Sequence, residues 1–376
     1  MCEQCDYPSF LFWRWPFNLV ADSDAAKCWA GPHTKLVEVN ELIQQVANFP
    51  ETRLHLVWGE LGVGKSHALR YMVERVASSP GPTVTAYTEI APRDQVRSFL
   101  SLYSRLIREM DLEQVVEAHK SLVRNGTTDQ FERTICRRVP SLVGFFRAYE
   151  SGVVSRPLLI EWLAGTRLSA IERRSIGVSM NIDNDEVARD ALVALVDMLR
   201  LCDRRKGRFV WAVDEFQRIK RAGPKRLLEI SDMFRSLVNN CPNGLALLLG
   251  VREASVDDFT NSLTPDLKEL IRGRNLHFAV YSQEEARSFL HERLAFFRCP
   301  NARLAQDDSA FPFGRPAISK LLGLIDDSGG EFRLKPRDIL YCAGEVCRSA
   351  LGGSERTGII EPETVDRFFP ERAPEE

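Results

Sequence analysis

Net charge is almost absent from this chain: 50 lysines and arginines stand against 52 aspartates and glutamates, a formal balance of −2. No global basic field therefore attracts nucleic acid, and any such contact must come from a local patch. A cysteine framework is missing too. Nine cysteines are scattered over 376 residues without a repeating spacing, which favours a reducing compartment and free, mostly buried thiols. Long apolar runs are lacking. The most aromatic stretch, Phe10 to Val20, is broken by Arg14 and Pro16 and is too short to span a bilayer. Glu3 and Asp6 stand where a secretory signal would carry basic residues. No internal repeat or low-complexity linker is present. What remains is the composition of a soluble globular protein, 44% hydrophobic and 27% charged. It is long enough for two or three structural units, expected in the cytoplasm and without a membrane partner.

Against these absences one motif is dense. Residues 54 to 66 read Leu-His-Leu-Val-Trp-Gly-Glu-Leu-Gly-Val-Gly-Lys-Ser, an apolar strand running into Gly-x4-Gly-Lys-Ser with helical periodicity after it. This is a phosphate-binding P-loop in the context it needs. Gly59, Gly62 and Gly64 allow a tight backbone whose N–H groups converge on phosphate oxygens, and the helix N-terminus adds partial positive charge. The candidate nucleotide-binding set is Gly59, Glu60, Leu61, Gly62, Val63, Gly64, Lys65, Ser66 and His67. Lys65 is suited to the β- and γ-phosphates, and the Ser66 hydroxyl to Mg²⁺.

Periodicity places the other elements. A helix is expected over His33 to Ala47, and strands over Arg53 to Trp58 and Thr83 to Thr88. From Arg93 to Arg205 the pattern is helical, with helices over Val96 to Met110, Leu112 to Val123, Phe131 to Val139 and Glu186 to Leu201. A crossover needs only about a dozen residues, so most of this stretch is an insertion. Strands are expected again at Arg208 to Asp214, Leu245 to Gly250 and near Asn275 to Ala279, with helices at Lys225 to Val238 and near Asp266 to Ile271. Near-continuous apolar strands alternating with helices indicate a parallel sheet covered on both faces. Helices over Gln283 to Phe297, Ala317 to Ile325 and Arg333 to Leu351 follow. The expected fold is an α/β P-loop NTPase with a helical insertion and a C-terminal helical lid. Its boundaries are an aromatic arm at 1–32, a core at 33–92 and 206–281, the insertion at 93–205, the lid at 282–370 and a tail at 371–376.

Phe209 to Glu215 is an apolar strand ending in Asp-Glu, and ligands of such sheets sit outside the carboxyl ends of the strands. Asp214 is a candidate Mg²⁺ holder with Ser66, and Glu215 a candidate for orienting the attacking water. Arg252 either senses the γ-phosphate or pairs on the surface. Arg272 and Arg274 are either solvated or supply, in an oligomer, a cation to a neighbour's site; Arg274 is the candidate catalytic finger. Arg337, in Lys335-Pro336-Arg337-Asp338, opens a lid helix and is a candidate nucleotide contact. Arg218, Lys220, Arg221, Lys225 and Arg226 form the one dense basic run, suited either to DNA phosphates or to a solvated face or subunit contact. Cys2, Cys5, Cys28 and His33 are ligand types for zinc, but their spacing is unconstrained. Cys342 and Cys347 read as core thiols. The aromatic arm is expected to dock on the core or on a partner.

In this order the pieces resemble the AAA+ ATPases, most nearly the Orc/Cdc6-like branch, over about Lys35 to Ala91 and Gly207 to Leu351. Gly59 to Ser66 looks like Walker A, Val210 to Glu215 like Walker B, and Arg337 like sensor 2. Strand four ends in Leu-Gly where Ser, Thr or Asn is usual, and Leu-Gly-Val-Arg looks closer to the STAND signalling ATPases. The region usually carrying a C-terminal winged helix is missing. Glu161 to Gly165, Ile176 to Val178 and Asp190 to Leu199 resemble ATP-binding proteins of BREX-type phage defence, although Trp162 and Leu163 suit a core equally well. The resemblance implies an ATPase using ATP and Mg²⁺, oligomeric, acting on DNA or a DNA-processing partner in prokaryotic defence or a mobile element. Its alternatives are a STAND-type switch without DNA contact and a transposition targeting ATPase that forms filaments on DNA.

Overall fold

The computed structural model describes residues 6–19, 24–48, 50–93, 96–152, 154–252, 254, 257, 260–261, 263–271, 275–299, 310–328, 330, 332–352 and 359–369. The chain divides into two compact units. One comprises Met1–Val39, Glu60–Tyr71 and Phe278–Glu376; the other comprises Asn40–Gly59 and Met72–His277.

The second unit is built on a sheet of five strands: β1 (Arg53–Gly59), β2 (Thr83–Glu89), β3 (Arg208–Asp214), β4 (Leu245–Arg252) and β5 (Asn275–Phe278). Their order is β2-β3-β4-β1-β5, and β2 with β3, β3 with β4 and β4 with β1 run parallel. The sequence dictates this placement. Every residue of β3 and all but the last of β4 are buried, as near-continuous apolar runs require when both faces are covered. The register puts Gly59 beside Arg252 and Glu89 beside Asp214, so the candidate residues of three strands end on the same edge. Arg208, at the opposite end of β3, is buried, and burial lowers the pKa of its guanidinium. It donates to the carbonyls of Val46, Arg205 and Lys206. Val46 belongs to the last turn of α1 (His33–Asn48), so the buried cation meets the negative end of a helix dipole there.

The regular elements described in the insertion are all helices: α3 (Phe99–Glu109), α4 (Leu112–Arg124), α5 (Thr128–Cys136), α6 (Ser141–Ser151), α7 (Arg156–Leu163), α8 (Ala170–Ser175) and α9 (Asp185–Cys202). Its apolar residues join those of the sheet in one continuous core. Trp162 and Leu163 are fully buried there, which is the core reading of that segment. Helix α9 buries nine residues and begins with Asp185, whose carboxylate accepts the N–H groups of Phe99 and Leu100 at 3.2 and 2.8 Å. An acid from one helix thereby caps the N-terminus of another. After β3 come a 3₁₀ turn (Phe216–Ala222), α10 (Pro224–Asn240) and, after β4, α11 (Pro265–Ile271).

The first unit holds the P-loop, the N-terminal part of α2 (Lys65–Ala77), and α12 (Gln283–Phe296), α13 (Arg315–Asp326), α14 (Pro336–Gly352) and α15 (Pro362–Phe368). The aromatic arm packs on these lid helices. Phe10, Phe12 and Phe17 are buried with Leu290, Leu294, Phe297 and Leu321. Trp13 donates its indole N–H to the Phe296 carbonyl at 3.2 Å. Arg293 donates to the Pro16 carbonyl at 2.8 Å while its guanidinium lies 4.6 Å from the centre of the Phe297 ring. Cys342 and Cys347 are buried core cysteines outside any disulfide. Cys299 departs from the expectation of free thiols: it is disulfide-bonded. Among the described residues no helix is long and apolar enough to cross a membrane.

Candidate nucleotide site

In the first unit, α2 begins at Lys65, and the preceding loop adopts the backbone that its glycines permit. Gly62 and Gly64 have φ of 89° and 101°, values that L side chains rarely take. Gly62 is required for a second reason: a Cβ there would lie 3.1 Å from Cβ of Arg337. The Gly62 carbonyl accepts the Arg337 N–H at 3.2 Å, so the loop caps the first turn of α14. Lys65 is only 6% exposed, and its ammonium donates to the Glu60 carbonyl at 2.6 Å. The Glu60 carboxylate faces Lys335 at 2.6 Å and Arg333 at 3.1 Å. The hydrogen bond from Lys335, with Arg333 adding to it, holds this carboxyl below its usual pKa range.

Arg337 is exposed, and its guanidinium has no partner among the described residues. Leu61 is exposed and Val63 buried. Ser66 and His67 are half-buried in the first turn of α2. The His67 ring centre lies 6.0 Å from that of Trp29, which is 5.3 Å from Tyr71. The indole N–H of Trp29 is buried without a hydrogen-bond partner. Trp29, Arg333 and the Lys335 side chain were not among the candidates read from sequence. Only the Trp-Ala-Gly-Pro turn before α1 and the basic start of α14 were available as signals.

In the second unit, β3 delivers Asp214 and Glu215 at its carboxyl end. Asp214 is 1% exposed; it accepts the Tyr87 hydroxyl at 2.8 Å and the Glu215 N–H at 2.8 Å. Glu215 is 8% exposed, with φ 55° and ψ 34°. A non-glycine residue in the left-handed region is strained, and such strain concentrates at functional positions. Its carboxylate is heavily engaged, chiefly at Oε2. Arg252 reaches both oxygens, Nε at 3.2 and 3.0 Å and Nη2 at 3.0 Å. Arg218 Nη2 lies 2.8 Å from Oε2, and the Gln217 amide donates to the same oxygen at 3.0 Å. Of the two readings of Arg252, the geometry gives it an acidic partner, Glu215.

The side chains of the basic run differ in exposure. Arg218 faces inward because a buried glutamate needs its charge compensated; its side chain is 10% exposed. Arg221 and Arg226 are exposed but donate to the carbonyls of Pro92 and Arg97. Lys220 is half-buried and Lys225 exposed. Arg272, Arg274, Cys2 and Cys5 lie outside the described residues. Cys28 is half-buried and outside any disulfide, and His33 is exposed. Among the described residues no group of three or more His, Cys, Asp or Glu side chains could hold a metal ion. Magnesium in a nucleotide site needs no such group, because phosphates and water supply most of its ligands.

No protein-family model and no curated protein sequence matches the chain. Solved structures do. The ORC2 protein of Aeropyrum pernix, solved as ADPNP–ADP complexes, superposes with a TM-score of 0.55 at 14% identity, over 94% of this chain and 70% of that one. Its ADP form gives 0.51 at 14% identity, over 94% and 73%. The fold is that of ORC2. Cdc6p of Pyrobaculum aerophilum is a weaker match, with a TM-score of 0.48 at 14% identity over 93% and 70%. The ORC2-like fold comprises the α/β sheet, its covering helices and the C-terminal helical region.

Proposed function

We propose that the chain is an ATP-binding, Mg²⁺-dependent ATP hydrolase of the AAA+ type that works as a molecular switch. The P-loop backbone carries this reading. Its two left-handed glycines lead directly into a helix whose first residue is Lys65, an arrangement that fits a polyphosphate and little else. The nucleotides present in the two ORC2 structures support the same ligand class. Lys65 binds phosphate once its ammonium leaves the Glu60 carbonyl. Ser66 and Asp214 are assigned to magnesium, which when bound neutralises charge on the phosphate oxygens. Asp214 is held ready by Tyr87 and the Glu215 N–H, each occupying one oxygen and leaving lone pairs for a hydrated ion. Glu215 orients the attacking water, Arg337 couples the nucleotide to α14, and Arg274 serves a neighbouring subunit in an oligomer.

The engagement of Glu215 by Arg218, Arg252 and Gln217 favours a second reading, a STAND-type switch. A carboxylate engaged by two arginines and an amide is a poor water-orienting group until it is released. Turnover is then slow, and nucleotide exchange sets the state. The downstream target is DNA or a DNA-processing partner in defence or a mobile element. Support for this part is the insertion's resemblance to BREX-type proteins and the exposed Lys225, Arg221 and Arg226. ATPase rates with and without duplex DNA test it. Stimulation by DNA supports the DNA-coupled enzyme, and slow, DNA-indifferent turnover supports the signalling switch. Filaments on duplex DNA with ATP, seen by negative-stain imaging, would point to the transposition-type ATPase.

A further inference from the structure

The basic run after β3 is joined to the entrance of the helical insertion. Arg218 donates to the Ile90 carbonyl, Arg221 to Pro92 and Arg226 to Arg97. These three bonds keep an offset of 128 or 129 positions along the chain, so two stretches lie side by side, rung after rung. The first rung does more than the others. Arg218 also reaches Glu215 at 2.8 Å and Glu89 at 3.9 Å. One guanidinium thus meets the candidate water-orienting carboxylate, the last residue of β2 and the carbonyl just beyond it. The Ile90 N–H, in turn, donates to the Asp214 carbonyl at 3.1 Å.

From there the connection continues into the insertion. Arg105 of α3 donates to the Glu89 carbonyl at 3.1 Å, and the start of α3 is capped by Asp185 of α9. The bistable element is the partner set of Glu215. Oε2 carries the contacts of Arg218, Gln217 and Arg252, so turning that oxygen toward a water changes what Arg218 holds.

We infer that Arg218 is a positioning residue that ties Glu215 to the segment 89–92 and so transmits the state of the nucleotide site to the helical insertion. This inference rests on the proposed ATPase reading and gives the basic run a role other than binding nucleic acid. Arginine is suited to it, because a planar fork can hold a carboxylate and a carbonyl in fixed directions at once, and lysine cannot.

The test uses the full chain with Mg²⁺ and either ADP or a slowly hydrolysed ATP analogue, with nucleotide affinity measured on every sample. Hydrogen exchange over peptides spanning residues 88–110 is expected to differ at least threefold between the two nucleotides in the wild type. Arg218→Gln should still bind nucleotide yet lose that difference, with kcat falling about tenfold at unchanged KM. Arg218→Lys, the conservative variant, should restore only part of both, and Arg221→Ala should shrink the difference without abolishing it. Retention of the full difference in Arg218→Gln would overturn the inference, whatever happens to kcat. So would a wild type that binds both nucleotides and exchanges identically with each. A wild type that binds neither nucleotide overturns the ATPase reading along with the inference, and the affinity measurement separates that failure from the other two.

Discussion

Glu60 and Glu215 invite comparison. Each stands one residue past a central strand, Glu60 after β1 and Glu215 after β3, and each carboxylate is held by two cations. Their settings are opposite. The Glu60 side chain is 35% exposed, and its partners, Arg333 and Lys335, come from the far end of the sequence. The Glu215 side chain is 10% exposed, sits on a strained backbone, and takes one cation from three residues away. Solvent-screened pairs contribute little each and are easily exchanged, whereas a buried pair is costly to break because the remaining charge is left without compensation. Glu60 is therefore an adjustable contact between loop and lid helix, and Glu215 a fixed one that must be actively released.

The largest effect is expected at Lys65, which donates to the Glu60 carbonyl. On the proposed reading Lys65 gives phosphate charge-assisted hydrogen bonds, so Lys65→Ala should weaken nucleotide binding by about 100-fold or more by calorimetry. Arg252→Ala should come next. Arg252 is 37% exposed, so the loss is discounted for solvent to about 1–2 kcal/mol, seen as a fall of several degrees in Tm. A variant as stable as the wild type would show that Arg218 and Gln217 hold Glu215 without it.

Glu60→Gln should do less. It removes two screened pairs, so nucleotide dissociation should quicken about threefold at low salt and by less at high salt. Because these cations lower its pKa, Glu60 contributes fully at neutral pH, and the contribution is lost only as pH falls below the usual carboxylate range. A tenfold or salt-independent change would erase the contrast with Glu215. The smallest effect is expected at Asp197 on α9, where burial, against Arg138 and Arg200, raises the carboxyl's pKa. The protonated form is favoured on folding, so its stabilising contribution is present in acid and lost as pH rises through the raised value. Asp197→Asn should raise Tm slightly at neutral pH and leave it unchanged in acid.

What could be read without coordinates follows the range of the forces involved. The P-loop is local: three glycines and a helix start within eight residues determine its backbone, and Arg208 to Asp214 stands as a strand at the limits its apolar run suggests. The insertion is less legible. A helix was expected from Phe131 to Val139, but α5 ends at Cys136 and α6 starts only after Pro140, because the residue before a proline disfavours helical backbone. The basic run could not disclose its direction. Charge along a sequence says nothing of which side chain turns inward, and Arg218 does so for a glutamate whose burial is a tertiary fact. The contacts of Glu60 with Arg333 and Lys335 are non-local for the same reason.

The most direct test compares ATP binding and single-turnover hydrolysis in the wild type and Glu215→Gln. The account predicts wild-type affinity with hydrolysis slowed about 100-fold or more, the loss expected when a group acting mainly in the transition state is removed. Hydrolysis at the wild-type rate, or a loss of binding as deep as that of Lys65→Ala, would contradict it.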